Sequence, residues 1–181
     1  MQTSKTASLS TPARQLTFSA LCLALCLVLP FLTGQIPQIG SALCPMHFPV
    51  FLAGFICGPW WALLVGATAP LLRNLLFSMP PLLTAIAMTI ELAAYGAVSG
   101  LMYRKLPRNT LSVYFALITA MIIGRILWGV ARVAMTGVTG EAFTWAIFLA
   151  GAFTTAIPGI LLQLLLIPGL VLSLRRAKII E

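Results

Sequence analysis

LLTAIAMTIELAAYGAVSGLMYRKLPRNTLSVYFALITAMIIGRILWGVARVAM, residues 82–135, is the stretch on which the architecture turns. Two apolar runs, 82–103 and 111–135, flank a short loop that carries Arg104, Lys105 and Arg108. Each run reaches the roughly 20 residues a helix needs to cross the hydrocarbon core of a bilayer. Under the positive-inside rule, a basic loop between two spans lies on the cytoplasmic side. The runs also contain charges that a span tolerates poorly: Glu91, Arg125 and Arg132.

The rest of the chain repeats the pattern outward from this pair. Of 181 residues, 60% are hydrophobic and 8% charged, against about 25% charged in soluble domains. Upstream lie a first run at 16–33, a loop at 34–47 with the breakers Gly34, Pro37 and Gly40, and a short apolar piece at 48–57 ended by Gly58-Pro59. That piece is short for a span and reads as a short or tilted helix buried in the bundle. A third run at 60–77 ends in the sharp turn Met79-Pro80-Pro81. Downstream, a polar turn at 136–141 leads to a sixth run, 143–174, interrupted by Pro158 and Pro168 and closed by Arg175, Arg176 and Lys178. The first run is too long for a secretory h-region and no A-x-A site follows it, so it is expected to be retained. The fold class predicted is an all-α membrane protein, a six-transmembrane-helix bundle. It forms a single integral-membrane domain over 1–181, with a polar, flexible cytoplasmic segment at 1–13.

Charge sets the orientation. With the N-terminus in the cytoplasm, Lys5, Arg14, Arg104, Lys105, Arg108, Arg175, Arg176 and Lys178 all fall inside, while the outer loops receive His47 and Glu141 and no Lys or Arg. Both termini are then cytoplasmic, which requires an even number of spans.

Several function classes are disfavoured. The basic residues form no stripe with interleaved aromatics, so the net charge of +8 is not a nucleic-acid footprint. The lone histidine, His47, sits between Pro45 and Pro49 with no nucleophile motif to serve. There is no G-x-S-x-G, H-E-x-x-H or phosphate-binding loop, so the chain is expected not to be an enzyme and to hold no cofactor; any ATP is used by a partner. Cys22, Cys26, Cys44 and Cys57 read as buried fillers rather than a metal site.

With the cytoplasmic cations set aside, Arg73, Arg125 and Arg132 remain in apolar runs against Glu91. Topology puts all four between the midplane and the outer surface. Arg125, Trp128 and Arg132 share one helical stripe, as do Glu91 and Tyr95; Asn74 adjoins Arg73, and His47 lies at the mouth. One Arg–Glu pair alone would suit an internal network, and Arg73 or Arg132 reaching to the outer interface is a further reading. Three arginines against one glutamate instead favour a ligand anion. Arg125 and Arg132, with Arg73, would hold a carboxylate or phosphate in bidentate geometry. Glu91 would orient an arginine or accept from the solute, and Trp128 and Tyr95 would pack on its apolar part. Small-residue pairs, Ala20 with Ala24, Gly54 with Gly58 and Gly96 with Gly100, suit close helix packing inside the bundle or against a partner.

Four stretches give the chain a family likeness: Ala20-Leu-Cys-Leu-Ala24, PMHFPVFLAGFICGP (45–59), PLLRNLLFSMPP (70–81) and ELAAYGAVSGLMYR (91–104). With the six-run layout, they make the sequence resemble the substrate-specific (S) component of an energy-coupling-factor (ECF) transporter, a bacterial vitamin uptake system, over nearly the whole chain from Arg14 to Lys178. The resemblance implies a multi-pass protein of the bacterial cytoplasmic membrane that binds a vitamin in an outward-facing pocket. It implies a pocket built from the first loop and the fourth to sixth runs, with the outer end of the third, where His47, Arg73, Glu91, Arg125 and Arg132 lie. It implies docking through the Ala20 and Ala24 face onto a membrane-embedded coupling (T) protein driven by two ATPase subunits. Familiar riboflavin, thiamine, biotin and folate patterns are not matched. A positive pocket suits an acid, with pantothenate first and biotin, folate, lipoate, nicotinate or a phosphorylated pyridoxine as further acids. The other functional reading is a solitary membrane carrier or binding protein for a different vitamin-like solute.

Overall fold

The computed structural model describes residues 12–33, 36–139, 144–151 and 155–180, and among these every regular element is helical. In chain order they are α1 (Pro12–Val28) with a 3₁₀ extension (Leu29–Thr33), α2 (Pro37–Leu43), α3 (His47–Ile56), α4 (Pro59–Phe77), α5 (Leu82–Lys105), α6 (Thr110–Thr139), α7 (Trp145–Leu149) and α8 (Ile157–Arg176). Of the segment 1–13 expected to be flexible, Pro12 and Ala13 instead open α1, where proline suits the first helical turn, and 1–11 lie outside the described residues, as do Glu141 and the start of the sixth run at Phe143.

Among the described residues, five helices are long and apolar enough to cross a membrane: α1 with its extension, α4, α5, α6 and α8. The sixth apolar helix, α3, has 10 residues and buries His47, Pro49, Val50, Phe51, Ala53, Gly54 and Phe55. A helix apolar all round belongs in an interior, and α3 packs against α1, α4, α5 and α8. The long helices show the inverse pattern. On α6, Leu111, Phe115, Ile118, Ile122, Ile126 and Val130 are exposed, while Val113, Ala116, Leu117, Ala120 and Met121 are buried. Both faces are apolar, which suits a helix lying between a protein core and lipid.

Glycines set the helix separations. A Cβ on Gly54 would strike the side chain of Ser99 and approach the backbone of Gly96 and Gly100. A Cβ on Gly96 would meet the Ala62 carbonyl, and one on Gly66 the Leu92 carbonyl. The Gly54/Gly58 and Gly96/Gly100 pairs thus pack on each other inside the bundle. Ala20 and Ala24 differ: both lie exposed on the outside of α1.

Two boundaries depart from the sequence reading. The expected loop at 34–47 contains α2, because Pro37 occupies the first helical turn, where proline starts a helix rather than breaking one. The expected continuous sixth run divides into α7 and α8: Pro158 opens α8 in the same way, and Pro168 is carried inside it.

Candidate functional site

Glu91 is the centre of the site. Its side chain points from α5 into the bundle and is 2% exposed. Arg125 of α6 places Nη1 3.0 Å from Glu91 Oε1. Tyr95, one turn along α5, donates its hydroxyl to the same oxygen at 2.8 Å. His47, at the start of α3, brings Nε2 to 3.6 Å of it, outside hydrogen-bond reach. One carboxylate oxygen therefore gathers groups from three helices.

Packing holds this cluster in place. Tyr95 stacks on Phe51 with ring centroids 4.9 Å apart and lies 5.3 Å from the His47 ring. Gly124 makes room for it, since a Cβ there would collide with the Tyr95 ring. Arg125 also directs Nη2 to the Cys44 sulfur at 3.9 Å. Arg125 Nε and both His47 ring nitrogens are buried without a hydrogen-bond partner. Such groups carry a desolvation cost until something pairs with them.

Arg73 lies apart from this cluster. It is 3% exposed on α4 and donates Nη1 to the Leu27 carbonyl. Its guanidinium lies 5.0 Å from the Phe31 ring centroid and 5.2 Å from that of Phe77. Carbonyl and rings stabilise a cation but carry no countercharge.

Arg73, His47, Glu91 and Arg125 line one cavity of about 580 Å³, within the usual size range for small-molecule sites. Trp128 forms part of its wall, stacked on Phe148 at 6.3 Å. The cavity lies at the end of the bundle opposite the basic loops, where α1 and α4 finish and α5 and α8 begin. Its lining is mainly apolar, with a few converging polar groups.

The remaining sequence candidates sit elsewhere. Tyr95 lies beneath the cavity and supports Glu91. Asn74 turns aside, donating Nδ2 to the Pro80 carbonyl at 2.7 Å and fastening the end of α4 to the turn before α5. Arg132 is half-buried and is not among the residues lining the cavity. Sequence reasoning passed over Thr33, Gln38, Cys44, Met46, Thr84, Met88 and Thr155, which do line it. Thr84, Met88 and Glu91 follow helical spacing, so a stripe traced outward from Glu91 identifies two of them.

The charge balance follows from these positions. Glu91 and Arg125 neutralise each other, and Arg73 is left as a surplus cation in the cavity wall among the described residues. Guanidinium does not deprotonate in proteins, so that charge is permanent. The site offers one fixed positive charge, a neutral ion pair with donor and acceptor faces, an imidazole, and an indole wall.

The family model described as ECF transporter, substrate-specific component, matches residues 14–171, and the chain belongs to that family. No curated protein and no solved structure matches it. The chain is thus the substrate-binding subunit of a transporter and a multi-pass membrane protein. The family is a transporter component, not an enzyme family, and its members work with a membrane T component and ATPases.

Proposed function

We propose that this ECF substrate-specific component binds a small anionic vitamin, pantothenate before others, in the cavity between α3, α4, α5 and α6. The observation that carries this reading is the surplus cation Arg73 in the same cavity wall as the Glu91–Arg125 pair and the unpartnered His47 nitrogens. Arg73 receives the carboxylate. The ion pair presents a donor and an acceptor to hydroxyl or amide groups, His47 adds a hydrogen bond, and Trp128 packs on the carbon skeleton. Pantothenate has a carboxylate, an amide and two hydroxyls, and so matches each group.

The test is calorimetry in detergent with acids set beside their uncharged counterparts: pantothenate with pantothenol, nicotinate with nicotinamide, biotin with its amide. The vitamin that binds is expected to be an acid, and its uncharged counterpart to bind about 100-fold more weakly, since a charge-assisted hydrogen bond is lost. Equal affinity within a pair would contradict the reading.

In this account α3 completes a six-helix bundle in the bacterial cytoplasmic membrane. Both termini are cytoplasmic, because all the cations at the bundle's basic end are then inside. The cavity opens outward. ATP is used by two partner ATPase subunits, and this chain holds no cofactor. Docking on the coupling protein uses the exposed Ala20 and Ala24 face of α1, where small residues let a partner helix approach closely. Replacing both by Trp is expected to abolish co-purification with the coupling module while vitamin affinity stays within about threefold. Retained complex would place the docking face elsewhere.

A further inference from the structure

We propose, resting on the reading of the 580 Å³ cavity as the site of an anionic solute, that this cavity selects its ligand by length and by end. It takes an extended acid. The anionic end sits at Arg73, toward the end of the bundle opposite the basic loops, and an uncharged head that both donates and accepts hydrogen bonds sits deeper, at Glu91, Arg125 and His47.

Two glycines fix the register of α4 against α5. A Cβ on Gly66 would meet the Leu92 carbonyl, and one on Gly96 the Ala62 carbonyl, so 66 is level with 92 and 62 with 96 in an antiparallel pair. Arg73 lies seven residues on from Gly66, which sets it level with Ala85, seven before Leu92 and six before Glu91. At a rise of about 1.5 Å per residue, Arg73 and Glu91 stand about 9 Å apart along the bundle. Each group is held at its own depth. The Arg73 guanidinium packs on the ring of Phe77, one turn farther toward the end of α4. The Glu91 carboxylate is held from the other direction by the Tyr95 hydroxyl, one turn deeper on α5. Among the described residues no ion pair joins Arg73 to Glu91.

The wall between the two ends is apolar. Met88 lies one turn before Glu91 on α5 and Trp128 one turn after Arg125 on α6, and both line the cavity. Since α6 runs antiparallel to α5, with Gly124 against Glu91 and Tyr95, both form a band above the ion pair. Thr84, one further turn along α5, brings a hydroxyl to the level of Arg73. The wall thus reads cation and hydroxyl, then an apolar band, then the buried polar cluster. At that cluster Arg125 Nε and both His47 ring nitrogens are buried without a hydrogen-bond partner, a desolvation cost that a polar head relieves. A second anion there would face the Glu91 carboxylate, so the head is uncharged: a hydroxyl, amide or ureide. Pantothenate and biotin carry an acid and such a head at opposite ends. Nicotinate is too compact to reach both ends of the cavity, and lipoate is extended but has no such head.

The test is calorimetry on the full chain in detergent with six probes: pantothenate, pantothenol, biotin, biotinamide, nicotinate and lipoate. The wild type is expected to bind pantothenate or biotin, with nicotinate and lipoate weaker by at least about tenfold. Two variants then assign the ends. R73Q is expected to weaken the acid that binds by about 100-fold and its uncharged counterpart by less than about threefold. H47L is expected to weaken acid and counterpart alike, each by about tenfold, because the head is common to both. Circular dichroism checks helix content. R73K, which keeps a cation, serves if R73Q does not fold, with the acid weakened about tenfold and the counterpart within about threefold. Nicotinate or lipoate binding as tightly as the extended acids overturns the selection by length and head, and leaves the anionic reading standing. Equal weakening of acid and counterpart by R73Q overturns the assignment of ends, and the preference for an acid then originates at another residue. An uncharged counterpart that binds the wild type as tightly as its acid removes the anionic reading and this inference together, as does a wild type that binds none of the six.

Discussion

Arg73→Gln is expected to weaken vitamin binding by about 100-fold, which corresponds to about 2–3 kcal/mol for a lost charge-assisted hydrogen bond. Arg73 is the one cation in the proposed substrate cavity left without a countercharge among the described residues, so in the proposed reading its partner is the ligand. The same side chain also ties α4 to α1 through the Leu27 carbonyl and packs between Phe31 and Phe77. Arg73→Lys separates the two roles. Lysine keeps the charge but loses the planar fork that matches a carboxylate, and binding is expected to fall by about tenfold. Calorimetry in detergent reads both values, with circular dichroism confirming helix content. Affinity within threefold of wild type in Arg73→Gln would leave that residue with a structural role only.

Glu91→Gln is expected to be the most destabilising change in the molecule, at about 3–5 kcal/mol, because it leaves Arg125 as a buried charge without its carboxylate. Tyr95 loses its anionic acceptor at the same time. The double change E91Q/R125Q removes both charges and leaves two amides able to hydrogen-bond each other. It is expected to recover most of the thermal stability in detergent, since replacing a buried pair as a unit costs little. Vitamin affinity is not expected to return with it, because the polar face offered to the solute has changed. A double variant that recovered stability and full binding together would show that the pair only holds α5 to α6.

The fold was legible where the hydrophobic pattern is long. The runs at 82–103 and 111–135 emerge as α5 and α6 because twenty or more apolar residues admit no other solution in lipid. The piece at 48–57 was legible as a buried short helix for the complementary reason: it is apolar all round yet too short to cross. Local chemistry misled at Pro37 and Pro158, since proline ends one helix and begins another with the same residue. Only the neighbours decide which.

Within the site, charge was the readable signal. Glu91, Arg125 and Arg73 stand out in apolar runs, and the structure brings all three, with His47, to one cavity. Which cation was surplus was not readable. Arg132 shares a helical stripe with Arg125, but seven residues is about 10 Å along a helix, and it is not among the cavity's lining residues. The support given to Arg73 by Leu27 comes from a residue 46 positions away, a separation no local pattern reports. Thr33, Gln38 and Thr155 carry no charge and come from short or irregular segments, so nothing in their spacing singles them out. Asn74 was chosen by adjacency to Arg73, yet neighbouring positions on a helix face different directions, and its amide is taken up by Pro80.

The central claim is that the cavity selects an anion. The most direct measurement is mass spectrometry of the small molecule released from purified protein, expressed in medium containing the full set of B vitamins. A single carboxylic or phosphorylated vitamin, near one per protein in the wild type and depleted in Arg73→Gln, is the expected result. Recovery of a neutral or cationic vitamin, retained equally by both proteins, would contradict the claim.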